Sequence, residues 1–279
     1  MAQRQQRRTG GVGVVAGLVA VVCAGTAGCS GSGAAAEDGR GGDAVATVRQ
    51  AADRLARTGS SKARTSMEMA TGGTRVTIRG EGVYDYRRRV GELQVLLPQD
   101  PAGTSEHRPI TELLAPGALF MKNRGAGVPD DKWVRVETAA LSDGNLVTGG
   151  ATDPYAAAEL LRGALSATYV GRGEVAGTVV RHYRGTADLT VAARDASAEN
   201  RAALGAAAKG FATARVPFDV YLDEQGRIRK VRHRFSFVNG QREGTVAVTS
   251  TTSLHDFGVA VDVTLPDRDD IYAGKIAAD

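Results

Sequence analysis

Residues 217–231 read PFDVYLDEQGRIRKV, and this stretch decides the fold class. Two runs of alternating apolar and polar residues, 217–222 and 227–231, flank the polar tetrapeptide 223–226, which ends in glycine. This pattern is typical of a β-hairpin, because glycine supplies the backbone conformation that a tight turn requires. The stretch therefore predicts antiparallel pairing between strands that are neighbours in sequence.

The same two-residue period extends outward from the hairpin in both directions. Upstream it appears in short segments that are separated by glycines, such as Gly72-Gly73, Gly80 and Gly91. These segments predict an antiparallel meander. Further strands are predicted at 118–122, 132–136, 168–191, 235–237, 245–249 and 259–265.

Three segments have the period of a helix instead. The first begins at Asp43, a plausible N-cap, and ends near Gly59. The second opens at Asp153-Pro154 and places Tyr155, Ala158, Leu161 and Leu165 on one face. The third is alanine-rich and runs from about Ser197 to Lys209. Strands and helices together predict one α+β domain over residues 43–279.

The N-terminus has the organisation of a secretory signal. Residues 1–8 carry only positive charge, and residues 9–28 are uncharged and rich in valine, alanine and glycine. A retained transmembrane anchor is the weaker interpretation, because the apolar run is short and interrupted by glycine. Without Arg4, Arg7 and Arg8, 32 basic residues face 31 acidic ones, so the formal charge falls from +4 to +1. Bulk basicity therefore does not support nucleic-acid binding.

Thr26-Ala27-Gly28-Cys29 closes the apolar run and resembles a bacterial lipobox. In that motif the cysteine thiol accepts a diacylglyceryl group, so we expect a signal peptide over 1–28 and lipid attachment at Cys29. Thr26 stands where the motif most often has leucine, and an ordinary signal peptide with a chance cysteine is the alternative. Residues 29–42 are rich in glycine, serine and alanine, which predicts a flexible tether. The other cysteine, Cys23, would be removed with the signal.

No motif in the sequence indicates catalysis or a cofactor. A nucleophile elbow is absent, and no two of the histidines have the spacing of a local metal site: His107, His182, His233 and His255. We therefore expect a protein that is not an enzyme. The acidic group Asp267, Asp269 and Asp270 is read as an acidic tail, with calcium binding left open. The run Arg87-Arg88-Arg89 is read as a solvated turn or, alternatively, a contact for anionic lipid head groups.

Four stretches together resemble a known family: 80–86 (GEGVYDY), 177–183 (GTVVRHY), 218–228 (FDVYLDEQGRI) and 257–263 (FGVAVDV). They resemble the LppX, LprA and LprG group of actinobacterial envelope lipoproteins, which is similar in fold to the carriers LolA and LolB. The resemblance covers roughly residues 44–271. It implies a strongly curved antiparallel sheet, a half-barrel, wrapped around a few helices with an apolar cavity between them.

The resemblance also implies a function. Such a cavity holds the acyl chains of a lipid or lipoglycan, since each buried methylene contributes about 0.8 kcal/mol. The chain would then bind or transfer this ligand at the extracytoplasmic face of the cell membrane, held there by its lipid anchor. The expected lining residues are Val76, Ile78, Val83, Leu93, Val95, Leu119, Met121, Leu161 and Leu165. The alternative is an interaction protein without lipid cargo, docking onto a membrane enzyme or receptor.

Overall fold

The computed structural model describes residues 43–71, 74–98, 108–125, 127–238 and 245–274. The predicted signal peptide, tether and Cys29 lie outside these residues, as does His107. Helices within the described ranges are all too short to cross a bilayer.

The described residues form one eleven-stranded antiparallel sheet that remains open, with β6 and β7 at its edges. Its order is β6-β5-β4-β3-β2-β1-β11-β10-β9-β8-β7, so the first and last strands pair at the centre and a meander extends to each side. The strands are β1 (Ser60–Thr71), β2 (Thr74–Asp85), β3 (Val90–Leu96), β4 (Ile110–Ala115), β5 (Ala118–Lys122), β6 (Val134–Glu137), β7 (Ala164–Val175), β8 (Thr178–Asp188), β9 (Arg215–Leu222), β10 (Ile228–Val238) and β11 (Thr245–His255).

The hairpin that predicted the fold is β9–β10. Its turn is closed by Asp223, whose carboxylate accepts hydrogen bonds from the backbone N–H and the Nε of Arg227, at 2.9 and 2.8 Å. Gly226 has a φ of 74°, which explains why the turn needs glycine at this position. The predicted α+β class with a curved antiparallel sheet is confirmed.

Five α-helices accompany the sheet within the described ranges. They are α1 (residues 43–49), α2 (Ala51–Arg57), α3 (Pro154–Leu160), α4 (Leu189–Asp195) and α5 (Ala198–Gly210). The first predicted helix is confirmed, with a turn at Gln50 between its two parts. The second begins as predicted: Asp153 accepts the N–H groups of Tyr155 and Ala156, at 2.7 and 2.9 Å, and proline follows the cap. The third is confirmed as α5.

Three predictions about elements are wrong. The second helix ends at Leu160 and passes through a 3-10 turn, so Leu165 lies in β7. A Cβ at Gly163 would lie 2.2 Å from the carbonyl oxygen of Asp188, and this close approach marks where the chain turns into the strand. Helix α4 occupies residues that were expected to extend a strand, because Asp188 caps it by accepting the N–H groups of Thr190 and Val191. Residues 259–265 are irregular rather than a strand.

The two faces of the sheet bury different clusters. The inner face packs against the helices in one large core, to which strands from both meanders contribute. The hydroxyls of Thr152 and Ser250, 98 residues apart, meet there at 2.6 Å. On the outer face of β3–β5, Val263 of the irregular C-terminal segment packs on a smaller cluster that includes Leu113 and Phe120. Arg88 secures this segment by donating to the carbonyl of Val263 at 3.1 Å.

Glycines on the inner face allow neighbouring strands to approach closely. A Cβ at Gly82 in β2 would lie 1.9 Å from the carbonyl oxygen of Glu92 in β3, and one at Gly185 in β8 would lie 2.0 Å from that of Ser166 in β7. Any larger residue would force the strands apart. These positions therefore contribute to the shape of the sheet on both sides of its centre.

Gly82→Ala should lower the free energy of unfolding by roughly 2–4 kcal/mol, because the added methyl group collides with backbone rather than with a movable side chain. Gly173→Ala in β7 is the matched control, since a Cβ there meets nothing within 4 Å. Urea denaturation of both variants tests this. Equal stability of the two would show that the close approach at Gly82 is unimportant.

Candidate functional site

Most of the predicted lining residues lie together on the inner face. Ile78, Leu93, Val95, Leu119 and Met121 extend across β2, β3 and β5, and all belong to the main core. Leu161, in the 3-10 turn after α3, belongs to the same core. We call the inner face of β2–β5 around these residues the concave site.

Two of the predicted residues do not belong to the concave site. Val83 is paired with Lys62 and Glu92 and points to the outer face, where it packs on the smaller cluster. Its neighbour Tyr84 points inward, so the prediction chose the wrong phase of the strand. Leu165 is 40% exposed on the edge strand β7, because the helix expected to carry it inward ends five residues earlier.

The concave site is filled by the protein itself. Leu93, Val95, Leu119 and Leu161 have no accessible surface, whereas an empty space wide enough for an alkyl chain would leave some on each. The covering segment is residues 143–152, which we call the inner loop. A Cβ at Gly149 would lie 3.4 Å from Leu119, and one at Gly150 would lie 3.3 and 3.4 Å from Ile78 and Val95. The loop backbone thus occupies the position that the lining prediction assigned to a ligand.

Polar contacts hold much of the inner loop in place. The carboxylate of Asp143 accepts the N–H groups of Asn145, Val147 and Thr148, at 3.1, 2.8 and 2.6 Å. Arg124, just beyond β5, donates to the carbonyls of Gly149 and Thr148 at 3.1 and 3.2 Å.

Apolar burial contributes to the first part of the loop, through the fully buried Leu146. Val147 is only partly buried and Thr148 is exposed. Residues 147–150 are therefore the part of the loop that depends most on hydrogen bonds.

Partly exposed apolar side chains surround one end of the inner face. We call them the rim: Met69, Val76, Leu97, Phe237 and Val246, all packed against the main core without being fully buried. Met69 is paired with Val76, and Phe237 with Val246, so the rim spans both sides of the central strands. Val76, predicted as a lining residue, lies here. The rim thus leaves apolar surface partly exposed beside the concave site.

Glu112 is the functional candidate that sequence reasoning missed. It lies on the inner face of β4 between Leu93 and Met121, is fully buried, and neither carboxyl oxygen has a hydrogen-bond partner. Burial raises the pKa of Glu112 to about 8, against a smaller lowering by the positive charge of Arg124. The carboxyl group is therefore neutral at pH 7. Leaving such a group unpaired costs about 1–3 kcal/mol.

A signal for this residue was present in the sequence. Glu112 is in phase with the apolar Ile110 and Leu114, in a strand that also carries Leu113 and Ala115 on its other face. One acid at an inward position of such a strand is unusual, because charged residues are rarely buried without a partner.

Two other buried titratable groups differ in their pairing: Asp219 has several partners, whereas Nε2 of His233 has none within the described ranges. Asp219, on the outer face, contacts His182, Arg184 and Arg234 at 2.8–2.9 Å. His233 is buried on the inner face, and burial lowers its pKa to about 3, which keeps the ring neutral. No group of three metal-ligating side chains occurs among the described residues.

The arginine run has a partly structural role. The guanidinium of Arg89 lies 3.7 Å from the centre of the Tyr155 ring, and Arg88 holds the C-terminal segment. Arg87 is exposed. The solvated-turn interpretation therefore applies to the first arginine but not to Arg89.

Comparison with solved structures finds folds similar to this chain at low sequence identity. The lipoprotein LppX of Mycobacterium tuberculosis is 11% identical, with a TM-score of 0.49 over 80% of this chain and 99% of that one. LprF of Mycobacterium bovis is 12% identical, with a TM-score of 0.41 over 81% and 97%. A LolA superfamily protein of Nitrosomonas europaea is 11% identical, with a TM-score of 0.35 over 82% and 97%. These likenesses concern the fold.

Searches by sequence give a different outcome. No protein-family model matches the chain, and no curated protein sequence matches it either.

Glu112→Gln should change how stability depends on pH. Because the native carboxyl keeps its proton up to about pH 8 while the unfolded one loses it near pH 4.5, wild-type stability should fall as pH rises between these values. The slope approaches about 1.4 kcal/mol per pH unit for one such group. Urea denaturation between pH 6.5 and 8 measures this slope. Asp153, with a pKa raised to about 6, makes most of its own contribution to the pH dependence below this range.

The glutamine variant should have little of this slope, whereas Glu81→Gln, at an exposed position on the outer face, should keep it. Identical pH profiles for all three proteins would contradict the assignment.

Proposed function

We propose that the chain is an exported lipoprotein, anchored through Cys29 at the outer face of the cytoplasmic membrane, that binds an acylated lipid or lipoglycan. The ligand's alkyl chain would enter at the rim and lie in the concave site. The rim carries this proposal, because Met69, Val76, Leu97, Phe237 and Val246 leave apolar side chains partly exposed at one end of the apolar inner face. The protein's role would be to hold or transfer the lipid without catalysis.

Binding requires residues 147–150 of the inner loop to move. About twelve buried methylenes would contribute on the order of 10 kcal/mol. Five side-chain hydrogen bonds hold residues 147–149, from Asp143, Asn145 and Arg124, and each contributes about 0.5–1.5 kcal/mol. Because the burial of the alkyl chain exceeds the sum of these bonds, about 2.5–7.5 kcal/mol, the chain can replace this part of the loop while the sheet stays folded.

Lipid analysis tests the proposal directly. The full chain, purified from its own host in mild detergent, should release a stoichiometric acylated species on organic extraction, beyond its own anchor. Val76→Asn places a polar group at the rim and should reduce the bound lipid severalfold. Thr77→Asn is the control on the opposite face of the same strand, and its cargo should match wild type. A lipid-free chain that also takes up nothing from a host lipid extract would refute lipid binding.

The anchor is tested separately. Cys29→Ser should shift the protein from the membrane fraction to the soluble fraction or leave it unprocessed, because serine cannot form the thioether. Cys23→Ser changes the other cysteine, which we expect to be removed with the signal peptide, and should fractionate like wild type. Membrane fractionation and the mass of the N-terminal peptide distinguish these outcomes. Unchanged fractionation and mass of the Cys29 variant would exclude the lipobox assignment.

A second candidate function follows from the edge of the sheet. The outermost hairpin, β7–β8, exposes four large apolar side chains, Leu165, Tyr169, Val170 and Val179, which are 40–52% exposed. An exposed apolar edge beside a filled core fits an interaction protein that docks onto an envelope partner. Under that alternative the lipid analysis yields no cargo, and Tyr169→Ser abolishes docking while rim variants do not.

A further inference from the structure

The carboxyl group of Glu112 forms no hydrogen bond in the structure. Both carboxyl oxygens are buried without a partner, although the residue lies in the middle of an otherwise apolar surface. Its neighbours in the sheet are Leu93 and Met121, neither of which carries a hydrogen-bonding side chain of ordinary strength. Buried polar groups in native structures nearly always have a hydrogen-bond partner, so a carboxyl group without one calls for an explanation.

The inner loop shows where a partner would come from. A Cβ at Gly149 would lie 3.2 Å from Oε1 of Glu112, so the loop backbone lies directly over the carboxyl group. The loop backbone does not pair with that group: the N–H of Gly149 bonds to Asn145 at 3.0 Å, and its carbonyl accepts from Arg124. When residues 147–150 move, Glu112 is therefore uncovered with its donor and its acceptors free.

The neutral state of Glu112 determines which chemistry it can recognise. A protonated carboxyl group donates one hydrogen bond and retains acceptor capacity, so it pairs well with a neutral carbonyl oxygen. An acylated lipid carries such an oxygen where its chain joins the rest of the molecule, in an ester or an amide. A hydrocarbon chain alone offers no acceptor.

We infer that Glu112 is a binding residue for the ester or amide carbonyl of an acylated ligand, uncovered when residues 147–150 of the inner loop are displaced. The inference rests on the proposed function, because the alkyl chain is what displaces the loop. With this residue the concave site distinguishes ligands that carry an ester or amide carbonyl from ligands with alkyl chains alone. Arg124, which holds the loop closed through Thr148 and Gly149, is released from both carbonyls in the same step.

A pair of lipids that differ in their carbonyls tests the inference. The full chain, stripped of co-purified lipid and immobilised in detergent micelles, is titrated with radiolabelled 1,2-dioleoylglycerol or its diether analogue 1,2-di-O-oleylglycerol. The ester should bind roughly tenfold more tightly than the ether, the ratio expected of one hydrogen bond of ordinary strength. Glu112→Gln should preserve much of this ratio, because its amide N–H can donate to the same carbonyl.

Glu112→Leu separates binding from structure. It should raise the melting temperature of the ligand-free protein, because an unpaired polar group is replaced by an apolar one, and it should bring the ester-to-ether ratio close to one. Equal binding of the two lipids by wild type, or an unchanged ratio in the leucine variant, would overturn the role of Glu112 and leave the proposed function standing. Binding of neither lipid would overturn both.

Discussion

The inner face of the sheet must be covered, and the rest of the structure depends on how this is achieved. In the described part of the chain, eleven strands present an apolar surface to five short helices, and α3, which is buried on all sides, contains Ala156, Ala157 and Ala158. Small side chains let the helix lie close to the strands but fill little volume. The remaining area over β2–β5 is covered by the inner loop, through the backbone of Gly149 and Gly150. A segment that buries few apolar side chains opens more readily than one held by closely packed side chains.

The same constraint explains the pairing at the centre of the sheet. Because β1 pairs with β11, the two meanders extend in opposite directions from one junction, and both contribute to a single core. Two pairs of polar residues meet on the inner face near this junction, whereas Nε2 of His233, opposite Ser250, has no partner among the residues that the structure describes. Ser61 bonds to the hydroxyl of Tyr86 at 2.7 Å, and Thr152 bonds to Ser250. Thr152 also donates to the carbonyl of Leu146 at 2.8 Å, which connects the base of the inner loop to the central strands of the sheet.

Local signals predicted much of the fold, and long-range contacts account for what they missed. The turn at Gly226 and the cap at Asp153 are properties of a few consecutive residues, so the hairpin and the start of α3 could be predicted. The end of α3 could not, because it depends on the approach of Gly163 to Asp188. Val83 was assigned to the wrong face because the sequence 83–86 contains apolar or aromatic residues in both phases of the strand. Nothing local indicated that the C-terminal segment would cover the outer face there.

The sequence predicted most residues of the concave site but not that a loop covers them. Alternation along β2, β3 and β5 identified the inward side chains, yet it carries no information about which segment covers them. The inner loop is irregular, with its own side chains bonding to its own backbone, so no periodic pattern marks it. Neither carboxyl oxygen of Glu112 has a partner, while Ser61, Thr152 and Ser250 on the same face of the sheet each have one. On the outer face of β3 and β4, Gln94 and Thr111 form a hydrogen bond of 3.1 Å with each other. Polar side chains in this part of the sheet can therefore be given hydrogen-bond partners. An unpaired acid beneath a loop held mainly by hydrogen bonds is therefore better explained by a state in which the loop is elsewhere than by a failure of packing.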